Sequence, residues 1–363
     1  MTAVLERDRG QRAADAPEAP RPKRRFRFDG WLVTGFTGLT LFVFLLPLGY
    51  MIVTSLKSEQ MITNLQSPIL PKSPATFEYE GEVLDIYTVP MPDGSERALA
   101  LYQPRRQVSQ FIDPSDPEAG IIEWEGNWRT LEPAYELDPQ WENFTRAWDL
   151  MEFPLLLRNT LVIAGIGTLG AVASSILVAY GLARFKVPFG RSILVVLIAT
   201  IILPKFTMLV PTYTVFVSIG WVGTWLPLIV PHFFANAFNV FLLRQYFLTI
   251  PKELDEAATI DGAGPLRTLW SVILPQMKPA IVAVSLFHFY FAWNDFFEPM
   301  IYLSTRPDLQ PISVGLRTFN TLYDSQPNLI QSGAMLALII PVMVFLFAQR
   351  VFLKGIDLSG VQK

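Results

Sequence analysis

Polar and ionisable side chains interrupt three of the apolar stretches of this sequence. They are Lys205, His232, Asn236, Asn239, His288, Asn294, Asp295 and Glu298. In the stretch 225–243, His232, Asn236 and Asn239 are spaced at i, i+4 and i+7. In the stretch 281–303, His288, Asp295 and Glu298 share one helical face, with Asn294 beside it. Such groups are costly in hydrocarbon unless they face protein or a water-filled path. They indicate either a polar path across a membrane or hydrogen bonds that hold helices together.

Lys205, His232 and Asp295 are predicted to lie at one depth. With a helical rise of about 1.5 Å per residue, Lys205 is about 21 Å in from Arg191, and Asp295 is about 22 Å in from the start of its own helix. His232 is about 10 Å in from the opposite boundary, which in a core about 30 Å thick brings it to the same level. We expect one polar cluster in the outer half of the membrane, joined by Glu298, in which Lys205 pairs with Asp295. Such a pair is either a structural clamp or an outer gate.

The sequence contains none of the usual catalytic patterns. There is no Gly-x-x-x-x-Gly-Lys-Ser/Thr phosphate loop, no Gly-x-Ser-x-Gly elbow and no His-Glu-x-x-His helix. With no cysteine and two histidines in the whole chain, neither a metal site nor a catalytic triad is expected. The chain is therefore predicted to be a conduit that is no enzyme, carries no cofactor and takes its energy from another subunit.

A polar segment, residues 245–280, separates two of the apolar stretches. Pro251 and the acidic residues within 253–256 suit the first turn of a helix. Gly262 can take the left-handed conformation that ends such a helix, and Gly264-Pro265 prevents its smooth continuation. The segment is predicted to form an elbow of two short helices.

The elbow carries a long spaced pattern. It reads Glu256-Ala257-Ala258, three residues, Gly262, nine residues, Val272, one residue and Leu274-Pro275. This pattern resembles the EAA loop of ABC importer permeases, and the longer sequence from Ile250 to Ala263 is similar to the carbohydrate-uptake branch with six membrane helices. The resemblance implies docking on a separate ATPase through Glu256, Ala257, Ala258, Asp261, Gly262, Leu274 and Pro275.

The resemblance also implies partners and a substrate class. Members of this family work with a second permease subunit, identical or different, two cytoplasmic ABC ATPases and an extracytoplasmic solute-binding protein. Trp293-Asn294-Asp295-Phe296 resembles sugar permeases, so a sugar or oligosaccharide is the expected substrate. The alternatives are a permease for another solute and an ion-coupled secondary transporter, although the latter would not need the EAA spacing. An integral-membrane enzyme would need a nucleophile or a set of metal ligands in a catalytic arrangement, and the sequence shows neither.

The elements that carry these residues are predicted to be membrane helices. Hydrophobic residues make up 51% of the 363 residues and charged ones 17%, against about a quarter charged in soluble domains. The net charge of -3 argues against a nucleic-acid partner. Six apolar runs have spanning length. They are about 31–54, 156–182, 192–217, 225–243, 281–303 and 333–352.

The expected fold is an all-α, six-helix permease of the type I ABC importer class in a prokaryotic plasma membrane. The distribution of Lys and Arg places both termini and the elbow in the cytoplasm. The predicted divisions are a disordered tail (1–25), a first helix (26–55), an extracytoplasmic loop (56–154), a five-helix core (155–352) and a cytoplasmic tail (353–363). The cytoplasmic tail 353–363 resembles permease tails that reach the ATPase interface, and a frayed terminus is the alternative.

The loop 56–154 is predicted to contain a small β-rich insertion. Residues 83–89 and 97–102 alternate like strands around Pro92-Asp93-Gly94-Ser95, and 120–131 is a candidate third strand. The insertion either stabilises the permease as a lid or docks a partner. Asn143-Phe144-Thr145 matches a glycosylation sequon but carries little weight, because such tripeptides are frequent.

Overall fold

The computed structural model describes residues 28–64, 67–320 and 325–359. Four helical segments are long and apolar enough to cross a membrane: Gly30–Ser55, Phe153–Arg184, Leu226–Thr249 and Pro327–Val351. Two further pairs of helices reach that length only together, and the members of each pair are bent relative to one another by 99° and 85°. The described chain thus offers four spans, or up to six if each bent pair is one span.

The helix α1 (Phe28–Ser55) and the short helix α2 (Glu59–Thr63) precede the insertion. Eight strands follow: β1 (Lys72–Pro74), β2 (Thr76–Tyr79), β3 (Glu82–Pro90), β4 (Glu96–Gln103), β5 (Val108–Ile112), β6 (Ile122–Glu125), β7 (Glu132–Pro133) and β8 (Tyr135–Leu137). β1 and β8 form a two-stranded antiparallel stem. The other strands form one antiparallel sheet in the order β2-β3-β4-β5-β6, with β7 on β3.

The sequence predicted the central hairpin of this sheet but not its whole extent. β3 and β4 pair antiparallel as expected, and Gly94 takes φ +83° in the connection, where Asp93 Oδ1 accepts the Ser95 N–H at 2.9 Å. β5 was not predicted, because Val108–Ile112 does not alternate cleanly between apolar and polar residues. The third predicted strand, 120–131, is shorter in the structure and continues into a 3-10 turn.

Both faces of the sheet bury apolar side chains. Val89, Leu99 and Phe111 lie on one face, covered by Trp124, Trp128 and Leu131, while Leu84, Ala100 and Ile112 lie on the other. A small domain with its own core follows from this, which agrees with the β-rich insertion that the sequence predicts.

The remaining chain is helical. It comprises α3 (Glu142–Leu150), α4 (Phe153–Arg184), α5 (Gly190–Ile202), α6 (Lys205–Ser218), α7 (Leu226–Ile229), α8 (Ala237–Thr249), α9 (Glu253–Ile260), α10 (Pro265–Thr268), α11 (Leu274–Gln276), α12 (Lys278–Trp293), α13 (Phe297–Tyr302), α14 (Ile312–Gly315) and α15 (Pro327–Ser359). α4 lies at the centre and packs against α8 and α12. It also packs against a 3-10 turn (Val230–Phe234), where a glycine allows the close approach, since a Cβ at Gly170 would lie 2.5 Å from the Phe233 ring.

Three predicted spans are broken in the structure. The run 192–217 bends at Leu203-Pro204, between α5 and α6. The run 225–243 is interrupted by a 3-10 turn (Val230–Phe234) and by Ala235 at φ +55°. The run 281–303 ends its first helix at Trp293 and resumes at Phe297. Hydropathy does not detect these breaks, because backbone groups freed at membrane depth can be satisfied by neighbouring elements.

A buried hydrogen-bond network around Asn143 joins the two ends of the insertion to α15. The Asn143 Nδ2 donates to the carbonyl oxygens of Ser55 and Lys57, both at 2.9 Å, and Asn143 Oδ1 accepts from Asn328 Nδ2 at 3.1 Å. The Ser332 hydroxyl also donates to Ser55 O, at 3.2 Å. Asn143 is only 3% exposed, so its side chain serves packing and is poorly placed for glycosylation.

Candidate functional site

The first half of the elbow is the helix α9 and its C-terminal turn. Gly262 has φ +75°, as its place in the sequence predicts. Its N–H donates to Thr259 O at 3.0 Å, and the Ala263 N–H donates to Ala258 O at 2.9 Å. These two bonds form a Schellman motif, which satisfies the last carbonyl groups of α9 and fixes the direction in which the chain leaves. Pro251 precedes the helix by two residues, so it lies just outside the first turn in which it was expected.

The second half of the elbow runs through α10, a π-helical turn (Leu269–Ile273) and α11. Leu269 and Ile273 are fully buried, and Leu274 is 9% exposed. They pack in one core with the ends of α4, α8 and α12. The Leu274 of the spaced pattern therefore anchors the elbow, whereas Pro275 is exposed.

Most of the remaining pattern residues face outward. Glu256, Ala257, Asp261 and Gly262 are exposed, and Ala258 is buried at 6%. Glu256 lines an open pocket of about 320 Å³ beside Lys252 and Arg184. The elbow thus presents an exposed carboxylate near the N-terminus of a helix that a buried core holds in place, which suits it to contact another protein.

The attachment of the elbow to α4 was missed by the sequence analysis. Arg184 Nε lies 3.1 Å from Asp255 Oδ2, and Arg184 Nη2 donates to Ile250 O at 3.0 Å. One turn earlier on α4, the Tyr180 hydroxyl donates to Pro265 O at 3.2 Å. In the sequence, Arg184 is only one of the basic residues that flank an apolar run, and no local pattern indicates that Asp255 is its partner.

The structure brings both histidines of the chain together. His288 Nε2 lies 3.1 Å from His232 Nδ1, and His288 Nδ1 lies 3.3 Å from Asn239 Nδ2. His288 and Asn239 are buried, at 3% and 2% exposed. Asn236 points elsewhere: it precedes α8 and its Oδ1 caps that helix by accepting the Asn239 N–H at 3.1 Å. The predicted single stripe of His232, Asn236 and Asn239 on one helix is therefore wrong, because the chain breaks at Ala235.

The predicted pair of Lys205 with Asp295 is not formed. Lys205 Nζ lies 3.6 Å above the centre of the Phe291 ring, and within the described residues it has no carboxylate oxygen within 4.0 Å. The depth argument assumed unbroken helices, whereas Lys205 begins α6 after a 99° bend and Asp295 lies between α12 and α13. The Asp295 carbonyl oxygen accepts the Ser313 hydroxyl at 2.6 Å.

The polar residues nevertheless surround neighbouring pockets. Lys205, His232 and Asn236 line one of about 340 Å³, and Lys205 and Glu298 line another of about 330 Å³. Asp295 and His232 face a third, smaller space. The outlier is Asn294, which is exposed and donates to Tyr290 O at 2.8 Å. This arrangement can offer the Lys205 ammonium, the His232 imidazole and the Asn236 amide to a polar solute.

Comparison with known proteins identifies the family. The model of the family described as binding-protein-dependent transport system inner membrane component matches residues 171–358, just over half of the chain. The chain belongs to this family. It is the permease subunit of a transport system, and the spaced pattern that resembles the EAA loop lies inside the matched region.

Two relatives and one solved structure show how far the likeness extends. The permease is 35% identical over 203 residues to the sn-glycerol-3-phosphate transport system permease protein UgpE of Agrobacterium fabrum, covering 55% of this chain and 71% of the relative. It is 31% identical over 205 residues to the osmoprotective compounds uptake permease protein GgtD of Synechocystis, covering 56% and 69%.

The solved structure is that of a bacterial ABC transporter involved in the import of the acidic polysaccharide alginate. It matches 92% of the permease and 100% of its own chain, with a TM-score of 0.62 and 19% identity. The permease therefore has the fold of an ABC importer permease.

Proposed function

We propose that the permease forms, with a second permease subunit, the membrane path of an ATP-driven importer for a sugar or oligosaccharide. An extracytoplasmic binding protein delivers the solute, and two cytoplasmic ABC ATPases supply the energy. The observation that carries the proposal is the elbow, whose exposed Glu256 and left-handed Gly262 fit a docking helix held by a buried core.

In this proposal the permease crosses the plasma membrane six times. The bent pair α5 and α6 counts as one span, and α12 with α13 counts as another. Both termini and the elbow lie in the cytoplasm, and the β-rich insertion lies outside. The basic flanks near the elbow and the C-terminus favour this orientation, as does the small number of Lys and Arg residues in the insertion.

The proposed mechanism is the one that the resemblance to ABC importer permeases implies. ATP binding closes the ATPase dimer and draws the two elbows together, and this movement turns the paired permeases outward. The solute then leaves the binding protein and enters the path between the permeases. Lys205, His232 and Glu298 line pockets on that path and offer hydrogen bonds to hydroxyl groups.

A phosphorylated polyol is a second candidate substrate. The UgpE relative is named for sn-glycerol-3-phosphate, and an exposed ammonium at Lys205 that has no close carboxylate partner among the described residues suits a phosphate. Uptake of neutral sugars and of polyol phosphates by the complex, each presented with its own binding protein, distinguishes the two classes.

The coupling role is tested by Glu256→Lys, with Glu253→Lys as its matched control. Both residues are exposed on α9 and both changes reverse a charge, but Glu253 lies outside the spaced pattern. In the assembled complex, Glu256→Lys should lose uptake and solute-stimulated ATP hydrolysis while membrane insertion stays normal. Glu253→Lys should keep both activities. Wild-type stimulated hydrolysis by Glu256→Lys would contradict the assignment.

A further inference from the structure

Arg184 is a buried cation that holds the elbow at two points. Its side chain is 6% exposed, and that of Asp255 is 23% exposed. The guanidinium contacts the Asp255 carboxylate on α9 and donates to Ile250 O, the carbonyl oxygen at the end of α8. Because Arg184 is the buried member of this pair, loss of Asp255 would leave its charge uncompensated, which costs more than the loss of an exposed ion pair.

A second contact makes the attachment rigid. The Tyr180 hydroxyl, one helical turn before Arg184, donates to Pro265 O at the start of α10. The two halves of the elbow are therefore each fastened to the same end of α4, on either side of the turn at Gly262. An elbow held in this way cannot rotate without moving α4 or breaking both contacts.

The same helix contacts the broken segment that carries His232. Ser174 Oγ accepts the Ala235 N–H at 3.1 Å, and Ser175 Oγ accepts the Asn236 N–H at 3.3 Å. These side chains satisfy backbone donors at the very point where the chain leaves helical geometry. One turn before Ser174 on α4, Gly170 lies against the ring of Phe233, and about one turn earlier still, Gly167 lies against the ring of His232.

We infer that α4 carries movement of the elbow to the polar cluster, and that Arg184 and Asp255 are the positioning residues that join elbow and helix. The inference rests on the coupling role proposed above. Ser174 and Arg184 are about 15 Å apart along one uninterrupted helix, so a displacement at one end is transmitted with little loss. A displacement of α4 shifts the donors and acceptors that hold the segment around Ala235, and with it the ring of His232.

The test measures solute imported per ATP hydrolysed by the complete complex in proteoliposomes. Arg184→Gln and Asp255→Asn should each lower this ratio about tenfold while the ATPase still copurifies. The double variant should be no worse than Arg184→Gln alone, since both changes remove the same contact between Arg184 and Asp255. Arg184→Lys should recover much of the ratio, because it keeps a cation beside Asp255.

Arg306→Gln is the matched control. It also removes an Arg–Asp pair, that of Arg306 with Asp308 at 2.8 Å, but those side chains are 50% and 54% exposed and far from the elbow in sequence. This variant should keep the wild-type ratio. If Arg184→Gln fails to assemble, Tyr180→Phe provides the test without burying an unpaired charge, and it should lower the ratio in the same direction.

Two results overturn the inference. One is that both single variants, Asp255→Asn and Tyr180→Phe, import as much solute per ATP hydrolysed as the wild type. The other is a double variant in which the losses of Arg184→Gln and Asp255→Asn simply multiply. A failure of the coupling proposal itself looks different, because Glu256→Lys would then also import solute at the wild-type ratio.

Discussion

Gly262 offers the sharpest prediction, because the structure separates backbone strain from crowding at this position. Gly262 has φ +75°, and a Cβ built there would have no heavy atom of the described residues within 4 Å. A side chain therefore costs only the strain of the left-handed conformation, about 1–2 kcal/mol for an L-residue. That energy lowers the equilibrium ratio of the correctly turned elbow to its other conformations about 5- to 30-fold.

The size of the effect should follow the residue type. Asn tolerates the left-handed region best among substitutes, Ala carries the ordinary penalty, and a β-branched Val is worst. Uptake should therefore fall in the order Gly262, Gly262→Asn, Gly262→Ala and Gly262→Val, with insertion into the membrane unchanged. The assay is solute-stimulated ATP hydrolysis and uptake by the assembled complex.

Gly264 is the matched control within the same elbow. It also has open space around its Cβ position, but its φ is -73°, which any residue adopts. Gly264→Ala should retain wild-type uptake. The reasoning is refuted if Gly262→Val keeps wild-type stimulated hydrolysis, or if Gly264→Ala is as harmful as Gly262→Ala.

Three further predictions concern other parts of the permease. Replacing residues 76–134 by a short Gly/Ser linker should leave insertion intact and weaken binding-protein affinity for the complex; an unchanged affinity would reduce the insertion to a lid. His288→Phe should destabilise the complex by about 1–3 kcal/mol in thermal unfolding, since it leaves the Asn239 amide and the His232 ring nitrogen without their partner, whereas exposed Asn294→Ala should have little effect. Deleting the chain from Ser359 onward, most of which lies outside the described residues, should weaken ATPase association, and unchanged transport would favour a frayed terminus.

The elbow could be predicted from sequence because its signals are local. A glycine that must take positive φ, a Gly-Pro pair that interrupts a helix and acidic residues in a first turn each act within a few positions. The structure has Gly262 at φ +75°, as expected, and a new helix, α10, begins at Pro265 after the predicted interruption. The spaced pattern spans the whole elbow, so the likeness to a family and the local physics agree.

The polar cluster could be predicted in membership but not in geometry. Lys205, His232 and Asp295 could be identified because they are ionisable residues within apolar runs. The residues that they contact could not be predicted. The pairing depends on breaks at Pro204, at Ala235 and after Trp293, which move side chains off the lines that straight helices would give. Those breaks are stabilised by distant groups such as Ser174, and no local pattern reveals such support.

The stem of the insertion has a consequence for how this protein can change. β1 and β8 pair antiparallel with Lys72 opposite Leu137, and the Gln140 N–H donates to Leu56 O at 2.9 Å. Chain entry and exit are thus adjacent, whatever lies between them. A segment inserted there leaves both the separation of Leu56 from Gln140 and the buried hydrogen bonds of Asn143 unchanged. We therefore expect this position to tolerate insertions of different length, so that the inserted domain can vary while the helical part of the permease stays the same.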